Sequence, residues 1–367
     1  MAEHQCVTRV PIGPQHVVLP EPVHFDLHVE DEKVVEAGFK LGFAHRGIEK
    51  AFEKRDMYST LFIAERICGI CSCSHSCAIS GTYEKLTNTV IPDNARYVRS
   101  LVLELDRMHS HLLILGHLGE TMGFENLFML TWRDRELLMD MLEMITGNRV
   151  NHNINTIGGV RRSVTSAMAK ELERRLDEFA PKWDVLAKFY RMDSGFAHRT
   201  KGVGVIPHDI AWAAGIVGPN ARGSGVDLDI RNKHYFAYGD LKFKSVKLDD
   251  PKGDIFSRSM VRVQEVFESI KMVRALLGMI DDKKPFSVEK GPRMLPEDEC
   301  FFNIEAPRGE LFYYLRGNGT NKPARMKVRT PTLATLRGVP VILPGMEIQH
   351  VPLTVISIDP CICCTER

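Results

Sequence analysis

Two cysteine pairs with the same spacing are the residues best suited to carry chemistry. Cys68 and Cys71 form one Cys-x-x-Cys pair, and Cys361 and Cys364 form a second pair close to the last residue. Two intervening residues let both sulfurs of a pair face one ion, and four soft thiolates favour zinc, iron–sulfur or another thiophilic metal. A local zinc ribbon closes over about 15–20 residues, whereas most of the chain separates these pairs. They can therefore share a site only after global folding.

The composition of the chain restricts the compartment and partners of these thiols. Its 367 residues carry 48 Lys and Arg against 47 Asp and Glu, and a net charge of +1 excludes a strongly basic surface that binds nucleic acid. Clustered cysteines without a signal-peptide-like beginning indicate metal or redox chemistry in a reducing cytoplasm rather than a disulfide framework. No apolar run approaches the ~20 residues that span a bilayer, so we expect membrane contact through partners only.

Four stretches carry apolar residues at helical spacing and predict the elements that position the cysteines. In the first stretch, Tyr97, Leu101 and Leu105 follow one another at steps of four. Such stripes predict long helices that bury one side against each other as a bundle. Pro181 is a candidate kink in the stretch at 172–186. The four stretches are residues 97–115, 137–145, 172–186 and 263–277.

Extended structure is predicted on both sides of this bundle. Residues 23–43 alternate apolar and polar side chains around a charged turn at 30–33, which predicts a β-hairpin. Residues 351–358 are apolar and β-branched, which predicts a buried extended segment that carries the second cysteine pair inward. Residues 241–248 resemble a strand, although their alternation slips by one position.

The predicted fold class is α+β and mostly α, with a central bundle of long helices, a small N-terminal β-sheet and an irregular C-terminal region. We expect a single domain over residues 1–367. Within it the sequence predicts an N-terminal β region at 1–50, a helical core at 51–290 with a glycine-rich insert at 200–250, and an irregular or β region at 291–367 that carries the second cysteine pair.

The residues around both cysteine pairs match two longer motifs. Residues 66–75 and 359–367 resemble the signatures R-x-C-G-x-C-x-x-x-H and D-P-C-x-x-C-x-x-[HR] of the [NiFe]-hydrogenase large subunit. Segments at 13–16, 45–50 and 218–225 also resemble the 49 kDa quinone-site subunit of respiratory complex I, a relative that has lost the metal-binding cysteines. This combination is similar to an energy-converting, membrane-bound hydrogenase of the Ech type, and it implies a [NiFe]-hydrogenase large-subunit-like fold.

The resemblance implies a nickel–iron centre with cyanide and carbonyl ligands, NiFe(CN)2(CO). By this resemblance Cys68 and Cys361 are terminal nickel ligands, and Cys71 and Cys364 bridge nickel to iron. No iron–sulfur cluster is expected in this chain. A four-cysteine zinc or iron centre that only ties distant parts of the chain together stays open as the alternative, because four thiolates suit zinc too.

The resemblance also implies residues that take part in catalysis, namely Glu21, Arg308 and Cys361. Arg308 is expected beside the diatomic ligands and the open metal position, and Asp359 is expected to hold it through a charge-assisted pair. Glu21 is expected to relay protons from a terminal cysteine, since a hydrogen-splitting reaction needs a base near the metal.

Further residues are implied around the centre. His75 is expected to hydrogen-bond a bridging sulfur, and either Thr330 or Thr332 is expected to donate to a cyanide. Glu49 matches a carboxylate that binds magnesium together with a C-terminal histidine in other hydrogenases. Here the last residue is Arg367, which has no lone pair for a metal. Magnesium is therefore doubtful, and an ion pair between Arg367 and Glu49 can replace it.

The implied activity is reversible H2 formation from protons with ferredoxin-derived electrons, coupled to ion translocation by membrane partners. The expected partners are an iron–sulfur small subunit with a proximal [4Fe-4S] cluster, other hydrophilic and integral membrane subunits, and ferredoxin. The expected location is peripheral, on the cytoplasmic side of the cell membrane. The alternative is a complex-I-like quinone-reductase or scaffold subunit without nickel–iron catalysis.

Overall fold

Helices dominate the structure, a computed structural model that describes residues 7–17 and 19–367, so the other residues of the predicted N-terminal β region lie outside the description. The strands in these ranges are β1 (Thr8–Ile12), β2 (His24–Glu30), β3 (Lys33–Lys40), β4 (Asn155–Thr156), β5 (Gly159–Val160), β6 (Glu299–Ala306), β7 (Gly309–Arg316) and β8 (Arg325–Arg329). The α-helices are α1 (Ile48–Lys54), α2 (Met57–Glu65), α3 (Ser72–Leu86), α4 (Asp93–Thr121), α5 (Glu125–Thr146), α6 (Ser166–Met192), α7 (Ser194–Thr200), α8 (His208–Ala213), α9 (Gly218–Gly223), α10 (Ile255–Met279), α11 (Pro331–Leu336), α12 (Val339–Ile342), α13 (Val351–Ser357) and α14 (Ile362–Glu366).

The long helices α4, α5, α6 and α10 form the centre of the fold. They coincide with the four apolar stripes, so the predicted bundle is confirmed. Leu101, Leu105 and Leu112 of α4 are fully buried, and each buried side chain of this kind contributes about 1.5–3 kcal/mol to folding. Pro181 lies inside α6, which continues on both sides of it. Among the described residues we find no helix with the length and apolarity needed to cross a bilayer.

A small antiparallel sheet with the strand order β1-β2-β3 forms the N-terminal region. β2 and β3 make the predicted hairpin, and Asp31 and Glu32 turn the chain with positive φ angles. Phe25, Leu27 and Val29 face a hydrophobic core that also contains Ile362, directly after Cys361. The N-terminal sheet therefore packs in the same core as the segment that carries the second cysteine pair.

The C-terminal region differs from its prediction. The extended segment predicted at 351–358 is wrong, because residues 351–357 form helix α13. A short, fully buried apolar run does not reveal its period, and Pro352 is accepted in the first turn of a helix. The rest of the region contains an antiparallel sheet, β6-β7-β8, and short helices, so the β part of the predicted irregular or β region is present. Residues 241–248, all of them described, form no strand, since the slip in their alternation leaves no continuous apolar face.

Two elements bring the cysteine pairs to one place. α3 begins directly after Cys71 and is almost entirely buried, in contact with α2, α4, β6 and β7. α13 leads the chain back into the interior, and Cys361 lies there directly before the short helix α14. Each cysteine pair thus lies at the start of a helix that is packed in the protein interior.

Candidate metal centre

The structure brings the sulfur atoms of both cysteine pairs together in the interior. Cys361 Sγ lies 3.5 Å from Cys68 Sγ and 3.0 Å from Cys364 Sγ. Cys71 Sγ lies 3.5 Å from Cys364 Sγ, and all four side chains are buried. Four sulfurs at ~2.3 Å from one tetrahedral metal are about 3.8 Å apart. Cys68, Cys71 and Cys364 lie mutually within 4.8 Å, which is close enough to share a metal, and Cys361 contacts two of them.

Local backbone structure directs both pairs towards this point. Ile70 N–H donates to Cys68 Sγ over 3.3 Å in the turn between α2 and α3. Cys71 and Cys361 are the N-cap residues of α3 and α14. Unpaired N–H groups at a helix start favour negative charge, and a thiolate supplies it. Asp359 turns the chain before Cys361 with a φ of 58°, a conformation that Asp tolerates better than most residues.

Arg46 joins the two cysteine loops, a role that sequence reasoning missed. Its Nη2 donates to Ile67 O over 2.7 Å and to Cys363 O over 3.1 Å, and its Nη1 donates to Arg66 O over 2.9 Å. A guanidinium offers five donors in a rigid fork, so one side chain can fix carbonyls from remote segments. The only signal in the sequence is its place in the complex-I-like segment at 45–50.

The close sulfur contacts differ in their effect on ionisation. Hydrogen bonds from the thiols of Cys361, Cys364 and Cys71 lower the pKa of Cys68 well below its ordinary value. Burial raises the pKa of Cys364 well above its ordinary value, and the neighbouring Cys361 raises it further. Several buried thiolates at this spacing repel one another unless a cation lies between them. A thiophilic metal fits the donor set, because it deprotonates the thiols and holds them together.

The predicted pair of Arg308 and Asp359 lies beside the sulfurs and is buried. Arg308 Nε donates to Asp359 Oδ1 over 2.9 Å, and Nη2 lies 2.8 Å from the same oxygen. Burial by itself would lower the pKa of Arg308, but Asp359, Cys361 and Cys71 raise it well above its ordinary value. Arg308 therefore stays protonated. Its Nη1 is buried and has no hydrogen-bond partner among the described residues.

Close backbone packing holds the turn that carries Arg308. Gly218 has a φ of 68°, and a Cβ at this position would lie 2.3 Å from Arg308 O. Only glycine fits such a contact without a shift of backbone. Asn220 Nδ2 donates to Ile358 O over 2.9 Å. The glycine-rich segment at 218–225 thus positions both the Arg308 turn and the chain that leads to Asp359.

The two candidate threonines have different environments. Thr332 Oγ1 accepts the N–H of Cys361 over 3.1 Å. Thr330 Oγ1 is buried and has no partner in the described part of the chain. A buried donor without an acceptor costs about 1–3 kcal/mol, and both Thr330 Oγ1 and Arg308 Nη1 are such donors. Cyanide ligands would accept from both, so the residues present fit the implied nickel–iron group.

His75 contacts the sulfur cluster, and its second ring nitrogen has a partner that sequence reasoning missed. His75 Nε2 lies 3.4 Å from Cys364 Sγ, and His75 Nδ1 lies 2.7 Å from the hydroxyl of Tyr313 on β7. Burial lowers the pKa of His75 to about 4, so the ring is neutral near pH 7. The alternating burial of β7 places Tyr313 on the inward face together with Leu311 and Leu315, and this alternation is visible in the sequence.

Glu21 contacts the second cysteine loop from the N-terminal region. Its Oε2 accepts the backbone N–H of Cys363 over 2.9 Å and also that of Ile362. The carboxylate therefore lies at the start of α14, directly after Cys361, while its side chain remains partly exposed.

Glu49 and Arg367 form an ion pair in this structure. Arg367 Nε donates to Glu49 Oε1 over 3.0 Å, which is the pair suggested in place of magnesium. Arg325 Nη2 lies 3.3 Å from Glu49 Oε2, and the N–H of Val328 donates to Oε1 over 3.0 Å. The carboxylate thus has two cationic neighbours and a backbone donor.

Comparisons with known proteins identify relatives of this chain. A family model described as the 49 Kd subunit of respiratory-chain NADH dehydrogenase matches residues 121–293 and 285–367, and one described as nickel-dependent hydrogenase matches residues 46–189. The carbon monoxide-induced hydrogenase of Rhodospirillum rubrum is 37% identical over 98% of this chain and 99% of its own. The membrane-bound hydrogenase subunit alpha of Pyrococcus furiosus is 35% identical over 98% of this chain and 87% of its own.

A solved structure has the same fold. A chain of the membrane-bound sulfane sulfur reductase, an archaeal respiratory membrane complex, superposes with a TM-score of 0.93 at 27% identity and covers 100% of both chains. The fold, the convergent cysteine pairs and these relatives point to one group of proteins. The chain belongs to the family of [NiFe]-hydrogenase large subunits of the energy-converting, membrane-bound type, which is related to the 49 kDa subunit of respiratory complex I.

Proposed function

We propose that this chain is the catalytic subunit of an energy-converting [NiFe]-hydrogenase that forms H2 reversibly from protons. The observation that carries the proposal is the buried cluster of four thiols from remote segments. Two buried donors accompany it that lack a partner among the described residues: Nη1 of Arg308, whose Nε pairs with Asp359, and Oγ1 of Thr330, two positions before the threonine that accepts the N–H of Cys361. Such a donor set suits a metal group that itself carries hydrogen-bond acceptors. Bound zinc without such ligands would leave both donors unpaired.

Cys68 and Cys361 are the proposed terminal nickel ligands, and Cys71 and Cys364 the proposed bridging ligands to iron. This division rests on the resemblance of the two motifs, and the sulfur contacts place all four thiols in one cluster: Cys361 lies 3.0 Å from Cys364 and 3.5 Å from Cys68, and Cys71 lies 3.5 Å from Cys364. When bound, the nickel–iron group supplies the two-electron redox chemistry that interconverts H2 and protons. Thr330 and Arg308 would hold its diatomic ligands by hydrogen bonds.

Glu21 is the proposed proton carrier between the thiols and solvent. Two backbone N–H groups, of Ile362 and Cys363, hold its Oε2, so the carboxyl group keeps its place while Oε1 gains or loses a proton. Its partial exposure gives it a route to water that the buried Arg308 and His75 lack. Arg308 stays protonated and therefore contributes charge and hydrogen bonds, whereas a base must be sought elsewhere.

The proposed partners follow from the single metal cluster. Within residues 7–17 and 19–367, the one group of mutually close candidate ligands is formed by Cys68, Cys71 and Cys364 of the proposed site, and we therefore propose that electrons arrive through another subunit. We assign that role to an iron–sulfur small subunit with a proximal [4Fe-4S] cluster, supplied by ferredoxin. Integral membrane subunits would couple the reaction to ion translocation and hold the chain on the cytoplasmic side of the membrane.

Elemental analysis and infrared spectroscopy of the purified complex test this function. We expect one nickel per chain and absorption bands from bound cyanide and carbonyl, because the proposed nickel–iron group contains them. Zinc in place of nickel, without these bands, would contradict the proposal.

The second candidate is a quinone-reducing or scaffold subunit, and the match to the complex I family model favours it. A complex that reduces quinone and holds no nickel would support this candidate. H2 formation from reduced ferredoxin by the same preparation would exclude it.

A further inference from the structure

We propose that Tyr313 is a positioning residue that fixes the tautomer of His75, so that a ring N–H faces the sulfur of Cys364. The inference rests on the proposed function, since it concerns how the chain controls a bridging ligand of the nickel–iron group. Tyr313 lies outside every motif around the cysteines, and the topology of β7 alone brings it to the centre.

The geometry is that of a buried three-member chain. The Tyr313 hydroxyl lies 2.7 Å from His75 Nδ1, and the two rings meet edge to face with centroids 5.9 Å apart. His75 Nε2 lies 3.4 Å from Cys364 Sγ. Tyr313 is fully buried and His75 almost so. Water therefore does not compete for either contact.

Donor and acceptor chemistry selects one arrangement of the protons. A metal-bound Cys364 is a thiolate, which only accepts hydrogen bonds, so the nitrogen that faces it must carry the hydrogen. The other nitrogen of a neutral ring is then an acceptor. Among the described residues, the Tyr313 hydroxyl has His75 Nδ1 as its hydrogen-bond partner, and it must donate to it. Tyr313 thus holds the hydrogen on Nε2.

The consequence is an electronic effect on the metal group. An N–H donor draws electron density from the thiolate of Cys364, and through it from the iron that the sulfur is proposed to bridge. Without the hydroxyl of Tyr313, His75 Nδ1 is a buried acceptor with no donor. The His75 ring is then more stable with its hydrogen on Nδ1 or in a rotated position. In either case Nε2 no longer donates to Cys364, which loses its hydrogen bond.

Infrared spectroscopy of the purified complex with Tyr313→Phe tests this inference. We expect the nickel content to stay at the wild-type level and the carbonyl band to move to lower wavenumber, because a more electron-rich iron weakens the bond of its carbonyl ligand. Tyr314→Phe is the matched control. It is the next residue on β7, and its hydroxyl donates to Glu299 Oε2 at the surface, so its bands should equal those of the wild type.

A second comparison separates positioning from a general structural effect. In a His75→Ala background, Tyr313→Phe should cause no further band shift, since Tyr313 acts through His75. An equal shift in both backgrounds, or an unmoved band in Tyr313→Phe at full nickel content, would overturn the inference.

If Tyr313→Phe fails to load nickel, uniform replacement of tyrosine by 3-fluorotyrosine decides the question without removal of the hydroxyl. A stronger phenol donor should strengthen the N–H contact and raise the carbonyl wavenumber, and an unchanged band would overturn the inference. Absence of cyanide and carbonyl bands in the wild-type complex would instead refute the proposed function.

Discussion

Glu21 differs from the other polar residues at the centre in being partly exposed and held by backbone amides. These contacts explain why a loop glutamate between two prolines can have a defined position. The amides of residues 362 and 363 bind one oxygen only, so the second oxygen is available for a proton. This arrangement is the basis of the proposal that Glu21 carries protons between the thiols and solvent.

We predict that Glu21→Gln keeps its metal but slows hydrogen–deuterium exchange catalysed by the complex. The glutamine side-chain oxygen can still accept the N–H groups of Ile362 and Cys363, whereas its amide cannot carry a proton at neutral pH. Loss of a general acid–base group typically slows catalysis about 10²–10⁴-fold. The measurements are nickel content and the rate of isotope exchange between H2 and D2O.

Glu36→Gln is the matched control for this experiment, because Glu36 is an exposed carboxylate on β3 whose nearest ionic partner is His28 at 3.4 Å. It should exchange isotopes at the wild-type rate. A Glu21→Gln complex that exchanges as fast as this control would show that protons leave by another route.

At the scale of elements, the segment that contains α9 fixes the site although it holds no predicted ligand. Arg222 Nη1 donates to Glu305 Oε1 over 2.8 Å, and Arg222 Nη2 donates to Glu265 Oε1 over 2.5 Å. All three side chains are buried, and breaking a buried ion pair by removal of one partner costs about 3–5 kcal/mol. α9 is thereby tied to α10 and β6, and Gly218 at its start is pressed against the Arg308 turn.

We predict that Gly218→Ala destabilises the fold and weakens metal retention. A left-handed backbone costs a residue with a Cβ about 1–2 kcal/mol, and the Cβ contact at 2.3 Å from Arg308 O must be relieved by moving the turn. The free energy of unfolding and the nickel content report the two effects.

Gly278→Ala is the corresponding control, because Gly278 lies in the last turn of α10, where an added Cβ would meet no atom within 4 Å. An alanine in a helix is more favourable than glycine by about 0.5–1 kcal/mol, so this variant should be slightly stabilised. Equal stability of the two variants would contradict the tight packing assigned to Gly218.

At the scale of the whole molecule, a shared metal would close a loop between residues 68–71 and 361–364. Cross-linking restricts the unfolded chain, and in the loop-entropy model a closed loop of 100 residues is already worth about 4.7 kcal/mol. The metal would therefore stabilise the fold far beyond the site itself, in particular the packing of α13 and α14.

We predict that Cys361→Ser loses nickel, unfolds at a lower temperature and exchanges backbone amides faster at residues 351–367. The hydroxyl of serine is a poor ligand for a thiophilic metal, so the link between the two ends of the loop is lost. The measurements are elemental analysis, thermal unfolding and amide hydrogen exchange.

Cys300→Ser serves as the control, since Cys300 lies on β6, is half-buried and donates to Thr82 O away from the sulfur cluster. It should retain nickel and its amide exchange pattern. Nickel at one per chain in Cys361→Ser would contradict the ligand assignment.

The sequence by itself identified the two cysteine pairs and the main helices. The spacing within each cysteine pair and the period of the apolar stripes are local properties. Both can therefore be recognised from the sequence. The family resemblance implied Arg308 and Asp359 as partners, and the structure joins them.

Only the tertiary structure decided how remote segments meet. Tyr313 and Arg46 act across separations of more than two hundred positions, through contacts that no local pattern encodes. The proposed cyanide donor is Thr330 rather than Thr332, because the hydroxyl of Thr332 already accepts the backbone N–H of Cys361. Residues 351–357 form a helix that the sequence did not reveal. A segment buried on nearly all sides is apolar throughout, so it lacks the periodicity that distinguishes a helix from a strand. Contacts of this kind are set by packing, and packing exists only once the whole chain has folded.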